Sequence, residues 1–272
     1  MKDEDCVPFL QWALPRLGLR WQGFRKVRRQ VCRRIARRIG ELGLADITAY
    51  RGRLESERSE WQALAALCTI PISRFYRDSA VFDCLGRRVL PALAEAALER
   101  GAEHLECWSA GCASGEEPYT LAIQWNLTLA ARFPELGVRI LGTDVDASLL
   151  ERARAACYKE SSIDALPATW RERAFERRGT LFCLRKDFRG DVELQRQDLL
   201  AEPPQQDFDL ILCRNLAFTY FSDALERDAL ERLASRLRSD GALVVGIHEE
   251  LPQPVSGFQA WPGCRATFRR RS

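Results

Sequence analysis

The chain lacks several features that would place it in common structural classes. Its 272 residues contain no apolar run approaching about 18 residues, and its charged beginning is unlike a signal peptide, so we predict no membrane insertion. It has only two histidines, and its ten cysteines form no CxxC pair. We therefore predict no metal site and expect reduced thiols that fill apolar positions. It also lacks the Gly-Lys-Ser/Thr ending of a phosphate-binding loop and the GxGxxG spacing of dinucleotide-binding folds.

What the chain does contain is a compact ligand-binding pattern, Trp108-Ser-Ala-Gly-Cys-Ala-Ser-Gly-Glu-Glu-Pro-Tyr119. A short apolar strand is followed there at once by a glycine turn and the start of a helix. Gly111 and Gly115 can adopt backbone angles denied to other residues and let a ligand approach the main chain. A second strand, residues 139–145, contains Asp144 near its end, where an acid can bind ribose hydroxyls. The pattern predicts a nucleotide-like ligand.

The charge of the glycine turn narrows the choice of ligand. Glu116 and Glu117 stand in the first turn of the following helix. Carboxylates at this position repel an anion and attract a cation at short range, which disfavours ATP and favours the sulfonium of S-adenosylmethionine. A tight turn before an ordinary acidic helix N-terminus stays an alternative on these residues alone.

The rest of the chain alternates strands with helices. Strands are predicted at residues 104–109, 139–145, 209–213 and 242–247, and helices at 121–131, 147–156 and 223–238. This alternation predicts a parallel sheet with helices on both faces, which binds ligands at the carboxyl ends of its strands. Gly111, Asp144, Asp198 and Asn215 all fall at such ends. Residues 181–184 and 192–194 predict a small antiparallel hairpin, and the tail from Leu251 predicts a closing pair of antiparallel strands.

Four segments, in order, resemble motifs of the CheR family, the chemotaxis-receptor glutamate O-methyltransferases. They are Ser73-Arg-Phe-Tyr-Arg-Asp78, the Trp108–Tyr119 pattern, Thr143-Asp-Val-Asp146, and Cys213-Arg-Asn215 with Tyr220-Phe221. The resemblance implies an α/β, class-I S-adenosylmethionine-dependent methyltransferase with a Rossmann-like sheet, a small all-helical N-terminal domain and a small β-hairpin insertion. We place the helical domain at residues 1–69 and the methyltransferase domain at 70–272, with the antiparallel insertion at about 179–196. Pro71 ends any helix before the connector that carries Ser73–Arg77.

The resemblance also implies roles for individual residues. S-adenosylmethionine, which leaves as S-adenosylhomocysteine, would contact Ser73, Arg77, Ala110, Gly111, Glu116, Asp144, Asp198, Leu199, Asn215 and Leu216. Within this set, Glu116 would bind the amino group, Asp144 the ribose, and Asp198 with Leu199 the adenine. Arg77 and Tyr220 would act in catalysis, with Arg77 orienting the acceptor carboxylate.

Two departures from the family pattern leave alternatives open. Tyr220 follows Asn215 by five residues where the family has four, so Phe218 could take its place, and ordinary aromatic packing explains Tyr220 equally well. A glutamate acceptor is already ionised at neutral pH and needs no general base, because its pKa is about 4.3. An amine or hydroxyl acceptor would need a general base, and His248, at the end of the fifth predicted strand, is the candidate. The second departure is found here, because the chain has Ile247-His-Glu-Glu250 where the family usually has a His-Ser-Glu run.

A basic helix is predicted at residues 21–42, where eight arginines and lysines precede the first acid, Glu41. Apolar residues recur at helical spacing, which gives one buried stripe and a broad cationic face. This face could merely be solvated, or it could bind an anion. The resemblance implies docking to the acidic methylated helix of a chemoreceptor. Nucleic acid is disfavoured because no aromatic residues alternate with the arginines.

These observations lead to one preferred function. We expect a cytoplasmic S-adenosylmethionine-dependent methyltransferase that modifies glutamates of chemoreceptor proteins. The segment Arg177-Arg-Gly-Thr180 is too short for the longer glycine-containing loop of family members that grip a receptor tether, so we expect no use of a tether peptide. The alternatives are a methyltransferase of the same fold acting on a small molecule or a different protein, and a module that binds without turnover.

Overall fold

The computed structural model describes residues 3–70, 72–201, 203–253 and 257–271, so Pro71 lies outside the described residues. The chain divides into two compact units. A helical unit comprises residues 1–71 and 219–226, and a sheet unit comprises residues 72–218 and 227–272.

The helical unit packs amphipathic helices around an apolar core. Its helices are α1 Asp3–Ala13, α2 Trp21–Phe24, α3 Arg28–Glu41, α4 Ile47–Ser56 and α5 Arg58–Cys68. In α3 the buried residues Val31, Cys32, Ile35 and Ile39 recur at helical spacing, as predicted. Asp46 caps α4, because its carboxylate accepts a hydrogen bond of 2.8 Å from the Ala49 N–H.

The prediction of one continuous basic helix over residues 21–42 is wrong. The segment forms two helices, α2 and α3, which are separated at residues 25–27. Phe24 is buried in the core, and the Val27 N–H bonds to the Phe24 carbonyl at 3.1 Å, a three-residue spacing that ends α2. Two of the predicted cationic residues bind residues of α5. Arg34 donates to the Leu67 carbonyl at 3.2 Å, and Arg38 forms two hydrogen bonds, of 3.0 and 2.8 Å, with the buried Glu60.

The sheet unit contains a seven-stranded sheet and a smaller three-stranded sheet. The strands are β1 His104–Ala110, β2 Gly137–Asp144, β3 Cys157–Lys159, β4 Phe175–Arg178, β5 Leu181–Leu184, β6 Val192–Arg196, β7 Phe208–Leu212, β8 Leu237–Val244, β9 Phe258–Ala260 and β10 Thr267–Arg270. The helices of this unit are α6 Ser79–Cys84, α7 Leu90–Glu99, α8 Glu116–Gln124, α9 Ala147–Ala155, α10 Glu160–Ile163 and α11 Ala168–Ala174. Two more, α12 Ala217–Tyr220 and α13 Asp223–Arg236, lie partly in each unit.

The large sheet has the order β6-β2-β1-β7-β8-β10-β9. Its first five strands are parallel, and β10 and β9 close it in antiparallel pairing, as predicted for the tail. All five residues of β7 are buried, which requires cover on both faces of the sheet. The chain builds outward from β1 to β2 and β6, and then returns to add β7 and β8 on the other side. The topological switch point of this α/β fold therefore lies between β1 and β7.

The predicted hairpin between residues 181–184 and 192–194 is wrong. The strand β5 pairs with β3 and β4 in the three-stranded antiparallel sheet, whereas β6 lies parallel to β2 with Leu194 opposite Gly142. The antiparallel sheet accordingly spans residues 157–184 instead of about 179–196. A short apolar run predicts a strand but does not predict which strand pairs with it. In the observed pairing the Leu194 side chain covers Gly142, where a Cβ atom would lie 2.9 Å from it.

The expectation of reduced thiols is wrong for six of the ten cysteines. Disulfides join Cys6 to Cys32, Cys84 to Cys264 and Cys157 to Cys183, at Cα–Cα distances of 6.0, 5.7 and 4.0 Å. Tertiary packing and strand pairing bring these residues together across 26, 180 and 26 residues of chain, which sequence spacing does not reveal. The other four cysteines are free and buried, as expected.

Candidate active site

The glycine turn lies at the switch point of the sheet, directly after β1. Gly111 has a φ of +80°, and the N–H groups of Gly111 and Cys112 donate to the Thr143 carbonyl of β2 at 2.8 and 2.9 Å. A Cβ atom at residue 111 would lie 2.5 Å from Cδ2 of Leu216, which follows β7. The left-handed φ favours glycine at residue 111, and the ends of three parallel strands meet around it.

The second glycine of the pattern allows helix α8 to begin. Gly115 precedes α8 with a φ of +89°. A Cβ atom at this position would lie 2.9 Å from both Ala153 Cβ and Tyr119 Cε2. A left-handed turn packed closely against α9 therefore explains the second glycine of the GxxxG spacing. This turn places Glu116 at the start of α8.

Glu116 carries a buried carboxylate that lacks a full set of partners. Its exposed fraction is 3%, and its Oε1 atom accepts a hydrogen bond of 3.0 Å from the Ser114 hydroxyl. Among the described residues, its Oε2 atom has no hydrogen-bond partner. Burial raises the pKa of Glu116, and its own backbone N–H and the hydroxyls of Ser114 and Ser73 oppose this rise. The open oxygen suits a cationic donor.

Glu117, the second acid of the turn, is already partnered. One of its carboxylate oxygens accepts from the Ser109 hydroxyl at 2.8 Å, and the other from the Arg214 guanidinium at 3.1 Å. The two acids that the sequence placed together at the turn therefore differ in chemistry. Glu116 is open to a ligand, whereas Glu117 belongs to an ion-pair network.

Asp144 lies at the end of β2, as predicted. Its Oδ2 atom accepts from the Ala113 N–H at 2.9 Å and its Oδ1 atom from the Asp146 N–H at 3.0 Å. Burial raises the pKa of Asp144, and these backbone donors oppose the rise. Each oxygen retains a lone pair, so the carboxylate can also accept from hydroxyl groups of a ligand.

Asp198 and Leu199 follow β6 beside Asp144, because the Gln197 N–H donates to the Asp144 carbonyl at 3.0 Å. The Asp198 carboxylate is exposed and accepts from the Leu200 N–H at 2.9 Å, whereas Leu199 is buried. The structure thus brings the residues at the ends of β1, β2, β6 and β7 to one edge of the sheet, where the sequence predicted a site.

Asn215 is held at the end of β7 by a residue that sequence reasoning overlooked. It has a φ of +57°, and its N–H donates at 2.8 Å to Oε2 of Glu249, which also accepts from the Gly246 N–H at 2.6 Å. Glu249 is buried, so its carboxylate links the ends of β7 and β8. The sequence had singled out the neighbouring His248, which is exposed.

The connector before α6, defined as residues 72–78, carries Ser73 and Arg77. Phe75 anchors it, because its ring packs edge-on against Tyr158 and Phe175 with centroids 4.8 and 5.2 Å away. The Arg77 guanidinium donates to the Ile72 carbonyl at 2.7 Å, which closes the connector on itself.

The two aromatic candidates for catalysis fall in different units. Tyr220 belongs to the helical unit, where its ring packs on Phe24 with centroids 5.0 Å apart. Phe218 is buried in the sheet unit. His248 lines a cavity of about 480 Å³ together with Arg265. Across residues 3–70, 72–201, 203–253 and 257–271, no group of three His, Cys, Asp or Glu side chains is arranged to hold a metal ion, and no helix is long and apolar enough to cross a membrane.

Two family models match the chain. The model described as CheR methyltransferase, SAM binding domain, matches residues 72–266, and the model described as CheR methyltransferase, all-alpha domain, matches residues 26–68. These matches agree with the sheet-and-turn geometry around Gly111 and with the helical unit.

Curated relatives match over most of the chain. An uncharacterized 104.1 kDa protein of Rhodobacter capsulatus is 37% identical over 231 residues, which are 84% of this chain and 24% of that protein. The chemotaxis protein methyltransferase of Listeria monocytogenes is 34% identical over 70% of this chain and 69% of its own. That of Salmonella typhimurium is 33% identical over 85% of this chain and 79% of its own. Among solved structures, the N-methyltransferase NodS from Bradyrhizobium japonicum matches 57% of this chain and 58% of its own, at 17% identity and a TM-score of 0.32.

Proposed function

This chain belongs to the CheR methyltransferase family, and on that premise we propose that it methylates glutamate side chains of a chemoreceptor, with S-adenosylmethionine as methyl donor. The observation that carries the proposal is the buried Glu116 carboxylate with its open Oε2 atom, beside the glycine turn of the matched domain. This oxygen lacks a hydrogen-bond donor, and an ammonium group is a donor whose positive charge suits a carboxylate. The residues present therefore fit the amino group of S-adenosylmethionine.

We assign the remaining contacts from the geometry of the sheet edge. Ala110 and Gly111 offer backbone where a side chain would meet Leu216, and Asp144 has lone pairs free for ribose hydroxyls. Leu199 is buried beside Asp198, and together they suit an apolar ring with polar edges. Ser73, Arg77, Asn215 and Leu216 complete the proposed pocket.

The chemistry asks little of the protein beyond alignment. When bound, S-adenosylmethionine supplies a methyl group activated by its sulfonium. A glutamate acceptor is ionised at neutral pH, so the chain needs no general base and must instead orient the carboxylate and exclude water. We propose that the Arg77 guanidinium orients the carboxylate.

We propose that the helical unit docks the receptor. Five exposed cationic residues form what we call the basic face, and they are Arg25, Lys26, Arg29, Arg33 and Arg37. Of these, Arg37 lies 3.5 Å from Glu41 on the same helix. A surface of one charge sign steers and orients a partner of opposite sign. An acidic receptor helix fits this face, and we place the reaction in the cytoplasm.

We also propose that no tether peptide is needed. The strands β4 and β5 are joined by only two residues, Gly179 and Thr180. This tight turn supports docking through the basic face in preference to capture of a receptor tail at the small sheet.

Transfer of label from methyl-tritiated S-adenosylmethionine to chemoreceptor-bearing membranes tests the function. Mild alkali should then release volatile methanol, because carboxyl methyl esters are alkali-labile. Label that resists alkali would contradict the proposal and would point to an amine acceptor or a different substrate. Binding of the cofactor without any transfer would contradict the methyltransferase activity on this receptor.

Charge reversal tests the basic face. We expect the R29E/R33E variant to raise KM for the receptor by about fivefold or more while leaving the affinity for S-adenosylmethionine unchanged. The matched control is R53E/R58E, which makes the same change of net charge at exposed arginines of α4 and α5. Equal effects of the two variants would contradict docking through α3 and indicate a response to net charge alone.

A further inference from the structure

Arg214 is the charged residue of the Cys-Arg-Asn motif, and the proposed function gives it no role. It directly follows the end of β7 and the buried Cys213. Its side chain is only 2% exposed, and its guanidinium lies 5.3 Å from the centre of the Phe82 ring. A buried cation is costly unless its partners are charged and well placed, so these partners decide what Arg214 does.

The partners of Arg214 lie on two different segments of the sheet unit. Its Nη1 atom donates to the Glu117 carboxylate of α8 at 3.1 Å. Its Nη2 atom donates to the Asp78 carboxylate at 2.7 Å and to the backbone carbonyl of Arg77 at 2.9 Å. One guanidinium therefore joins the first turn of α8 to the end of the connector.

The connector needs such support because its backbone is unusual on both sides of Arg77. Tyr76 and Asp78 have φ angles of 55° and 61°, a region that residues other than glycine rarely adopt. Conformations of this kind persist only where surrounding contacts hold them. The Tyr76 N–H donates to the Thr120 hydroxyl of α8 at 3.1 Å, and Arg214 holds the other side of the bend.

A second observation separates Arg214 from a residue optimised for stability alone. Within the described part of the chain its Nε atom is buried without a hydrogen-bond partner. An unpaired buried donor costs stability and calls for an explanation. The two terminal nitrogens of the guanidinium bond to Arg77, Asp78 and Glu117 at once, although Nε stays unpaired. The single ammonium group of lysine does not reproduce this geometry.

We infer that Arg214 is a positioning residue that holds the connector in the shape needed for Ser73 and Arg77 to close over the bound cofactor. This inference rests on the proposed function, because it takes the pocket beside Glu116 as the cofactor site. Arg214 acts through Arg77 and touches neither the donor nor the acceptor itself.

The test compares R214K, R77K and the double variant. The dissociation rate of S-adenosylmethionine is measured by rapid mixing, alongside kcat for receptor methylation. We expect R214K to speed dissociation and lower kcat by about tenfold or more, since small displacements of positioning groups have effects of this size. The double variant should be no worse than the worse single variant, because both changes disable the same contact.

Two further variants keep the test decisive. R100K alters the ion pair of 2.6 Å with the buried Asp209, at the opposite end of β7, and should lower the melting temperature without changing dissociation or kcat. D78N removes the charge of a partner that is 22% exposed, and it should reproduce the R214K effect even where R214K folds poorly.

The outcomes separate the inference from the proposed function. An unchanged dissociation rate in folded R214K and D78N, or additive effects in the double variant, would overturn the inference. Absence of receptor methylation by the unaltered protein would overturn the proposed function instead. In that case the dissociation rates of S-adenosylmethionine alone would still test the role of Arg214.

Discussion

Replacing Glu116 with glutamine should stabilise the ligand-free protein at neutral pH and weaken its binding of S-adenosylmethionine. The opposite signs follow from one feature, a carboxylate that is 3% exposed and has an unpartnered Oε2 atom. In the free protein this buried negative charge is only partly compensated by its own backbone N–H and by the hydroxyls of Ser114 and Ser73. In the complex, we propose that the ligand ammonium completes it.

The magnitude of the stability change follows from what glutamine removes. An unsatisfied buried polar group costs about 1–3 kcal/mol, and the amide of glutamine keeps part of that cost because its NH₂ is also unpartnered. Loss of the charge should therefore stabilise the sheet unit by about 1 kcal/mol, or about 2 °C in melting temperature. The lost charge-assisted hydrogen bond, worth about 1.5–3 kcal/mol, should weaken cofactor affinity by about 10- to 150-fold.

The stability gain should depend on pH, because burial raises the pKa of Glu116. Below the ordinary carboxyl pKa, the group is protonated in both folded and unfolded chains and costs nothing. As pH rises to the raised pKa, the unfolded chain ionises first and the folded state loses stability. The E116Q variant lacks this loss. Its advantage should be present at neutral pH and vanish in acid.

Glu60 provides the matched control. It is as buried as Glu116, but Arg38 and the Tyr50 hydroxyl satisfy it, and the Arg38 hydrogen bonds lower its pKa. This contribution is present above the ordinary carboxyl pKa and is lost as pH falls through the lowered pKa. E60Q should therefore destabilise the helical unit at neutral pH and leave cofactor affinity unchanged. Melting curves across pH and calorimetric titration measure both properties, and lower stability together with unchanged affinity in E116Q would refute the reasoning.

Two further changes test the turn and the covalent links. G111A places a Cβ atom 2.5 Å from the Leu216 side chain at a φ of +80°, so we expect calorimetry to detect no cofactor binding, and binding near the original affinity would contradict the close packing described here. Under non-reducing conditions, alkylation and mass spectrometry should find Cys157 and Cys183 protected. Their reduction opens a link across 26 residues and should cost about 3.5 kcal/mol in the chain-entropy account, whereas full alkylation without reductant would show that the bond does not form.

Local patterns in the sequence predicted most of the fold, because they are fixed by short-range periodicity. The strands β1, β2, β7 and β8 and the helices α9 and α13 were predicted with shifts of a few residues at their ends. Alternation of strands and helices also predicted the parallel sheet. The pairing of β5 and β6 was not predictable, since a short apolar run carries no information about which strand lies beside it.

Local chemistry predicted the site less completely. The glycine turn and Asp144 lie where the sequence placed them, because tight turns and strand ends have signatures in adjacent residues. Glu249 and Arg214 were overlooked as functional positions, since their partners lie 34 and 136 residues away in the chain. The sequence did hold a signal for each residue. Arg214 belongs to the Cys-Arg-Asn motif, and Glu249 directly follows His248.

The sequence alone determined the class of the fold and the edge of the sheet at which we propose the ligand site, because helix and strand periods and glycine turns are local properties. Only the tertiary structure decided which acid of the turn stays open. Glu117 is satisfied by Arg214, from the loop after β7, whereas Glu116 remains buried and incomplete. The same long-range packing decided the disulfides and the break in the basic helix. Each depends on contacts between segments far apart in the chain, which no local pattern encodes.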